Sequence, residues 1–83
     1  MYSIEFSESA EKQLYKLPED IQKRIMNVLE RIKIRPFYFI KRKEGTPYYL
    51  LRVGGYRAVL DVKTDQFIIW IKEVGHRKNI YKH

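Results

Sequence analysis

The stretch Tyr48-Tyr49-Leu50-Leu51-Arg52-Val53-Gly54-Gly55-Tyr56-Arg57-Ala58-Val59-Leu60-Asp61-Val62, followed by Lys63-Thr64-Asp65-Gln66 and Phe67-Ile68-Ile69-Trp70-Ile71-Lys72, carries three runs of aliphatic and aromatic residues separated by two turn signals. Gly-Gly supplies the positive φ that a tight primed hairpin turn needs. The spacing therefore predicts a three-stranded antiparallel meander. Closing the first hairpin on Gly54 and Gly55 sets Val53 against Tyr56, Arg52 against Arg57, Leu51 against Ala58 and Tyr49 against Leu60. Taking residues 63–66 as the second turn sets Leu60 against Ile69, Val59 against Trp70 and Arg57 against Lys72.

Directly opposed residues share a face of a sheet. One face then holds Tyr49, Leu51, Ala58, Leu60, Val62, Phe67, Ile69 and Ile71, an apolar surface fit to carry helices. The other holds Arg52, Arg57 and Lys72 in one row, with Val59 and Trp70 beside them. Like charges opposed across strands are destabilising, so the row calls for an anionic ligand or for simple exposure on the wet face of the sheet. Lys78 and the other cations after the last strand crowd the same end.

Upstream, Tyr2, Ile4 and Phe6 alternate with polar residues as in a half-buried strand. Ser7 offers a helix-capping oxygen, and Ala10, Leu14 and Leu17 recur on one helical face. After Pro18, the residues Ile21, Ile25, Val28, Leu29 and Ile32 trace a second, stronger amphipathic helix, stopped by Pro36. Residues 36–47, which mix aromatics with the basic run Lys41-Arg42-Lys43, are expected to be a loop. The expected class is α+β in the order β-α-α-β-β-β. A single domain over 1–83 holds an antiparallel sheet, the meander plus the N-terminal strand, with two helices on one face.

Eighty-three residues, of which 45% are hydrophobic, suffice for one small core. Cysteine is absent, which excludes disulfide scaffolds, thiol nucleophiles and cysteine-ligated zinc. His76 and His83 are the only histidines and no carboxylate pair stands at ligand spacing with them, so no metal site is expected. No glycine-rich loop precedes a helix, and no run is long enough to span a membrane, so a cytoplasmic protein without a cofactor or membrane partner is the expectation. The formal net charge is +7, and all of the excess lies after residue 30. Such a surface suits nucleic acid or an acidic protein.

Phosphodiester chemistry on RNA fits these residue types. The 2′-hydroxyl is a built-in nucleophile if a protein holds the phosphate, removes that proton and protonates the leaving oxygen. Guanidinium groups such as those of Arg57 and Arg77 make forked hydrogen bonds to phosphate, and aromatic rings stack on unpaired bases.

The segments Leu51-Arg52-Val53-Gly54-Gly55-Tyr56-Arg57 and Val74-Gly75-His76-Arg77-Lys78, with Tyr81, resemble the RelE branch of the RelE/ParE toxin superfamily over nearly the whole chain. That resemblance implies a toxin that enters the ribosomal A site and cleaves messenger RNA, held in check by a cognate RelB-like antitoxin, which the basic surface predicts to be acidic. It implies that Arg57 stabilises the scissile phosphate, that Arg77 stabilises or protonates the leaving group, that Tyr81 packs on a base or orients the site, and that Arg52 touches the RNA backbone. Lys72, Lys41, Arg42, Lys43 and Lys78 are further expected RNA contacts. Relatives carry lysines where this chain has Tyr48 and Leu50, which leaves proton abstraction open to His76 or to electrostatic support from Lys41, Arg42 and Lys43. The same fold also serves gyrase-directed ParE-like binders, and a basic RNA-binding or inactive member is a third reading.

Overall fold

The computed structural model describes residues 1–76 and 78. The elements are β1 (Ser3–Phe6), α1 (Glu8–Tyr15), α2 (Glu19–Ile32), α3 (Pro36–Phe39), β2 (Ile40–Arg42), β3 (Tyr49–Val53), β4 (Tyr56–Lys63) and β5 (Ile68–His76). They build one five-stranded sheet in the order β1-β5-β4-β3-β2.

The α+β class, the strand-helix-helix opening and the meander stand as the sequence indicates, with four differences. The sheet is mixed, because β1 runs parallel to β5, pairing Ser3 with Ile68 through Phe6 with Ile71. Alternating hydrophobicity is identical for either strand direction, so the pattern of Tyr2, Ile4 and Phe6 carries no information on this point. The expected loop 36–47 contains a single helical turn, α3, and an edge strand, β2, which pairs Ile40 with Leu51 and Arg42 with Tyr49. Phe67 is a turn residue rather than part of the last strand. Its φ is +55°, it is exposed, and its ring lies 5.3 Å from that of Tyr2.

The first hairpin has the expected register, with Arg52 opposite Arg57 and Tyr49 opposite Leu60. Gly54 takes φ +61°, the left-handed conformation that a primed turn demands at its first central position. The β4–β5 register differs from expectation. Because the turn runs from Thr64 to Phe67, Lys63 pairs with Ile68, Val62 with Ile69, Asp61 with Trp70 and Leu60 with Ile71. An irregularity at Val59/Leu60 then skips Lys72, so that Val59 pairs with Glu73, Ala58 with Val74 and Arg57 with Gly75. This bulge keeps both Ile71 and Val74 on the buried face although three positions separate them.

The core lies between that face and the helices. Leu51, Leu60, Ile69 and Ile71 from the sheet meet Ala10 of α1 and Ile25, Leu29 and Ile32 of α2. Ser7 ties helix to sheet at the bulge. Its side chain accepts a hydrogen bond from the Ala10 amide at 3.0 Å, capping α1, and its hydroxyl donates to the Lys72 carbonyl at 3.0 Å. Gln13 of α1 accepts from the Val74 amide at 2.8 Å on the other side of the bulge. Gln22 of α2 donates to the Leu17 carbonyl at 2.9 Å and fixes the junction between the two long helices. No helix among the described residues is long and apolar enough to cross a membrane.

Candidate functional site

Strand alternation sends Leu50 and Arg52 of β3, Arg57, Val59 and Asp61 of β4, and Lys41 of β2 to the sheet face turned away from α1 and α2. Arg52 and Arg57 are direct cross-strand neighbours there, one exposed and the other only 8% exposed. With Lys41, Leu50 and Phe39 they line a depression of about 160 Å³. Gly75 stands opposite Arg57 on the other flank and adds no side chain. The result is a shallow cleft with an apolar, partly aromatic floor and cations from three adjacent strands, chemically matched to a phosphodiester with its attached base.

The single row Arg52-Arg57-Lys72 is not formed. The bulge moves Lys72 out of register with Arg57, and its ammonium lies 5.0 Å from the centre of the Tyr48 ring, reaching across β4 along the same face. The cation is thus held by an aromatic ring on the cleft face, away from Arg57. A two-residue error in the second turn and one skipped residue account for the difference.

The basic run on the outer edge divides. Lys41 lines the cleft. Arg42 shares the opposite face with Tyr49, its guanidinium 5.6 Å from that ring and its Nε donating to the Thr46 carbonyl at 3.0 Å. Lys43 is half-buried in the turn, where its amide donates to the Tyr48 carbonyl at 2.8 Å. Arg42 and Lys43 therefore shape the β2–β3 connection, and neither is among the residues that line the cleft.

His76 is not brought to Arg57. It pairs with Tyr56, with the ring centroids 5.4 Å apart and edge to face, on the face that strand alternation gives to Tyr56 and Val74. Its Nδ1 accepts from the Lys78 amide at 3.3 Å, and Lys78 itself is exposed. A general base contributes about 100- to 10,000-fold to a rate. For the RNA cleavage that the family resemblance implies, His76→Gln is accordingly expected to change the rate by less than about tenfold. A larger fall in single-turnover cleavage on programmed ribosomes would return the base role to His76. Arg77 and Tyr81 lie outside the described residues.

Sequence reasoning did not place Phe39 or Glu73 on this face, and it named Leu50 only as a position where relatives carry lysine. Leu50 was available from the first hairpin's register, being two residues from Arg52. Glu73 follows from the bulge, and Phe39 from the packing of α3 at the rim, neither of which has a local signal. Among the described residues no group of three His, Cys, Asp or Glu side chains could hold a metal ion.

The α+β fold of this chain is shared with solved toxin structures. A family model described as the ParE toxin of the type II toxin-antitoxin system parDE matches residues 4–81. A Methanocaldococcus jannaschii protein bearing the name RelE1 is 29% identical, over 99% of this chain and 97% of its own. The fold resembles the RelBE2 toxin-antitoxin complex of Mycobacterium tuberculosis with a TM-score of 0.82 and 25% identity, over 92% of this chain and 98% of the other. It also resembles the RelB-RelE antitoxin-toxin complex of Methanococcus jannaschii, with a TM-score of 0.75 and 32% identity over 95% and 96% of the two chains. The chain belongs to the RelE/ParE family of type II toxins.

Proposed function

We propose that this toxin cleaves messenger RNA in the ribosomal A site, using the cleft over β2, β3 and β4 to bind the scissile phosphate. The observation that carries the reading is Arg57, buried and set directly opposite Arg52 at the cleft floor. Burial fixes the guanidinium before substrate arrives, so its hydrogen bonds need no reorganisation as charge develops on phosphorus. In the step proposed, the RNA 2′-oxygen attacks phosphorus as its proton is removed, and the bond from phosphorus to the 5′-oxygen breaks as that oxygen gains a proton. The products are a 2′,3′-cyclic phosphate and a 5′-hydroxyl. Arg57 stabilises the pentavalent dianion, Arg52 and Lys41 hold the flanking backbone, and Phe39 offers a ring to an unstacked base. Arg77 and Tyr81 complete the site by the family resemblance.

The reading includes a cognate acidic antitoxin, as the RelE relatives solved with antitoxins suggest. Ile34 and Tyr38 are exposed and border a depression of about 400 Å³ with Phe39, Arg31 and Arg35. An acidic amphipathic segment matches this mixture of apolar surface and guanidinium groups.

Because the matching family model is a ParE model, a gyrase-directed binder is the second reading. Inducible expression followed by primer-extension mapping of cellular messages, beside a gyrase supercoiling assay, separates the two. Codon-phased breaks with unaffected supercoiling are expected. Inhibited supercoiling without message breaks would select the second reading.

A further inference from the structure

A second depression, of about 360 Å³, lies on the α2 side of the molecule between α2 and the β3–β4 turn. Arg24, Asn27 and Arg31 of α2 line it together with Arg52 and Gly54. Arg24 and Arg31 are seven residues apart, two helical turns, which stacks them on one face about 10.5 Å apart along the axis. The Arg24 guanidinium lies against the hairpin turn, since a Cβ placed on Gly54 would stand 3.4 Å from its Nη2. Among the described residues none of Arg24, Arg31 and Arg52 forms an ion pair. Arg24, Asn27 and Arg31 of α2 thus border one depression with Arg52 at the end of β3, and no carboxylate lines it. Arg52 lines both depressions, so the two adjoin at the end of β3.

We infer that Arg24, Arg31 and Arg52, with Asn27, form a phosphate track that receives RNA backbone leaving the cleft, so that the toxin grips the strand well beyond the scissile bond. The identity of the polyanion rests on the RNA-cleaving reading. Forked guanidinium donors match phosphate oxygens, and Arg52 is placed to touch consecutive stretches of one strand. An acidic amphipathic peptide fits this surface less well. The apolar contribution comes from Val28 and Val53, neither of them exposed, whereas the exposed apolar side chains Ile34 and Tyr38 line the neighbouring depression.

The test uses the isolated full-length toxin and fluorescent 2′-O-methyl RNA, which lacks the attacking hydroxyl and so reports binding alone. A trinucleotide covers the cleft only, and a dodecamer reaches the track. For single strands each phosphate contact contributes about 0.7 to the slope of log affinity against log salt. Arg24→Gln/Arg31→Gln is therefore expected to lower the dodecamer slope by about 1.4, which is about 25-fold in affinity at 0.1 M salt, while changing trinucleotide binding less than about twofold. Both positions are exposed on α2 and glutamine is a good helix former, so the fold is retained and circular dichroism checks it. Arg24→Lys/Arg31→Lys, which keeps the charge, should keep the slope. An unchanged dodecamer slope in the folded glutamine variant overturns the inference, as does an equal loss for the trinucleotide. So does intact RNA binding with lost affinity for the acidic antitoxin, which would assign the surface to protein. Absence of message cleavage by the wild-type toxin sinks the nuclease reading alone, because this binding measurement does not depend on it.

Discussion

Arg57→Ala is expected to lower single-turnover cleavage of messenger RNA on programmed ribosomes by about 100- to 1000-fold and to relieve growth arrest. Loss of one preorganised donor to a developing oxyanion costs about 2.7–4 kcal/mol. Two features put Arg57 at the upper end. The residue is only 8% exposed, which restricts its side chain before substrate arrives, and its cross-strand neighbour Arg52 is exposed and so is not held in the same way. Arg57→Lys, which keeps the charge but loses the fork, should fall between alanine and wild type. The comparison requires folded protein, checked by thermal unfolding, since the arginine stem also covers apolar surface. Undiminished cleavage by folded Arg57→Ala would remove this residue, and with it the cleft, from the mechanism.

The largest expected loss of stability comes from Leu60→Ala. Leu60 is fully buried, paired with Tyr49 on one side and Ile71 on the other, at the step next to the bulge. Truncating a buried leucine costs about 2–5 kcal/mol, the spread reflecting how far the surroundings collapse into the void. A domain of this length has only about 4–12 kcal/mol to lose, at about 0.05–0.15 kcal/mol per residue. Each kcal/mol shifts the midpoint of a domain this small by about 4–8 °C, so a fall of about 8–40 °C is expected in thermal unfolding followed by circular dichroism. The surroundings of Leu60 restrict collapse, because the bulge is already anchored on both sides by Ser7 and Gln13. A loss under about 1 kcal/mol would show that the layer between sheet and helices is not tightly packed.

Within the cleft, the share legible in the sequence follows the length of the connections. Gly54-Gly55 permits essentially one tight closure, so the Arg52–Arg57 pair was readable from the residues alone. The connection before Ile68 contains no such constraint. Phe67 was read as strand because it is apolar, yet it occupies a left-handed turn position, stabilised by its contact with Tyr2 across the N-terminal strand. That contact is tertiary, and the displaced register of Lys72 follows from the longer turn, Thr64 to Phe67, and from the bulge. The strand β2 was invisible for a related reason. Three residues, Ile40-Lys41-Arg42, have no period of their own and become a strand only because the edge of β3 accepts their hydrogen bonds.

The sequence by itself determined the α+β class, the two amphipathic helices, the apolar face of the meander, the basic excess after residue 30 and the pairing of Arg52 with Arg57. All of these rest on local periodicity, on a turn with one solution, or on composition. Only the tertiary structure decided the parallel direction of β1, the bulge at Lys72, the separation of His76 from Arg57 and the meeting of Arg24 and Arg31 with Arg52. The physical reason is common to all four. Each depends on where two elements remote in sequence come to rest, and an amphipathic face states how much apolar surface must be buried without stating against which neighbour, in which direction or at which register.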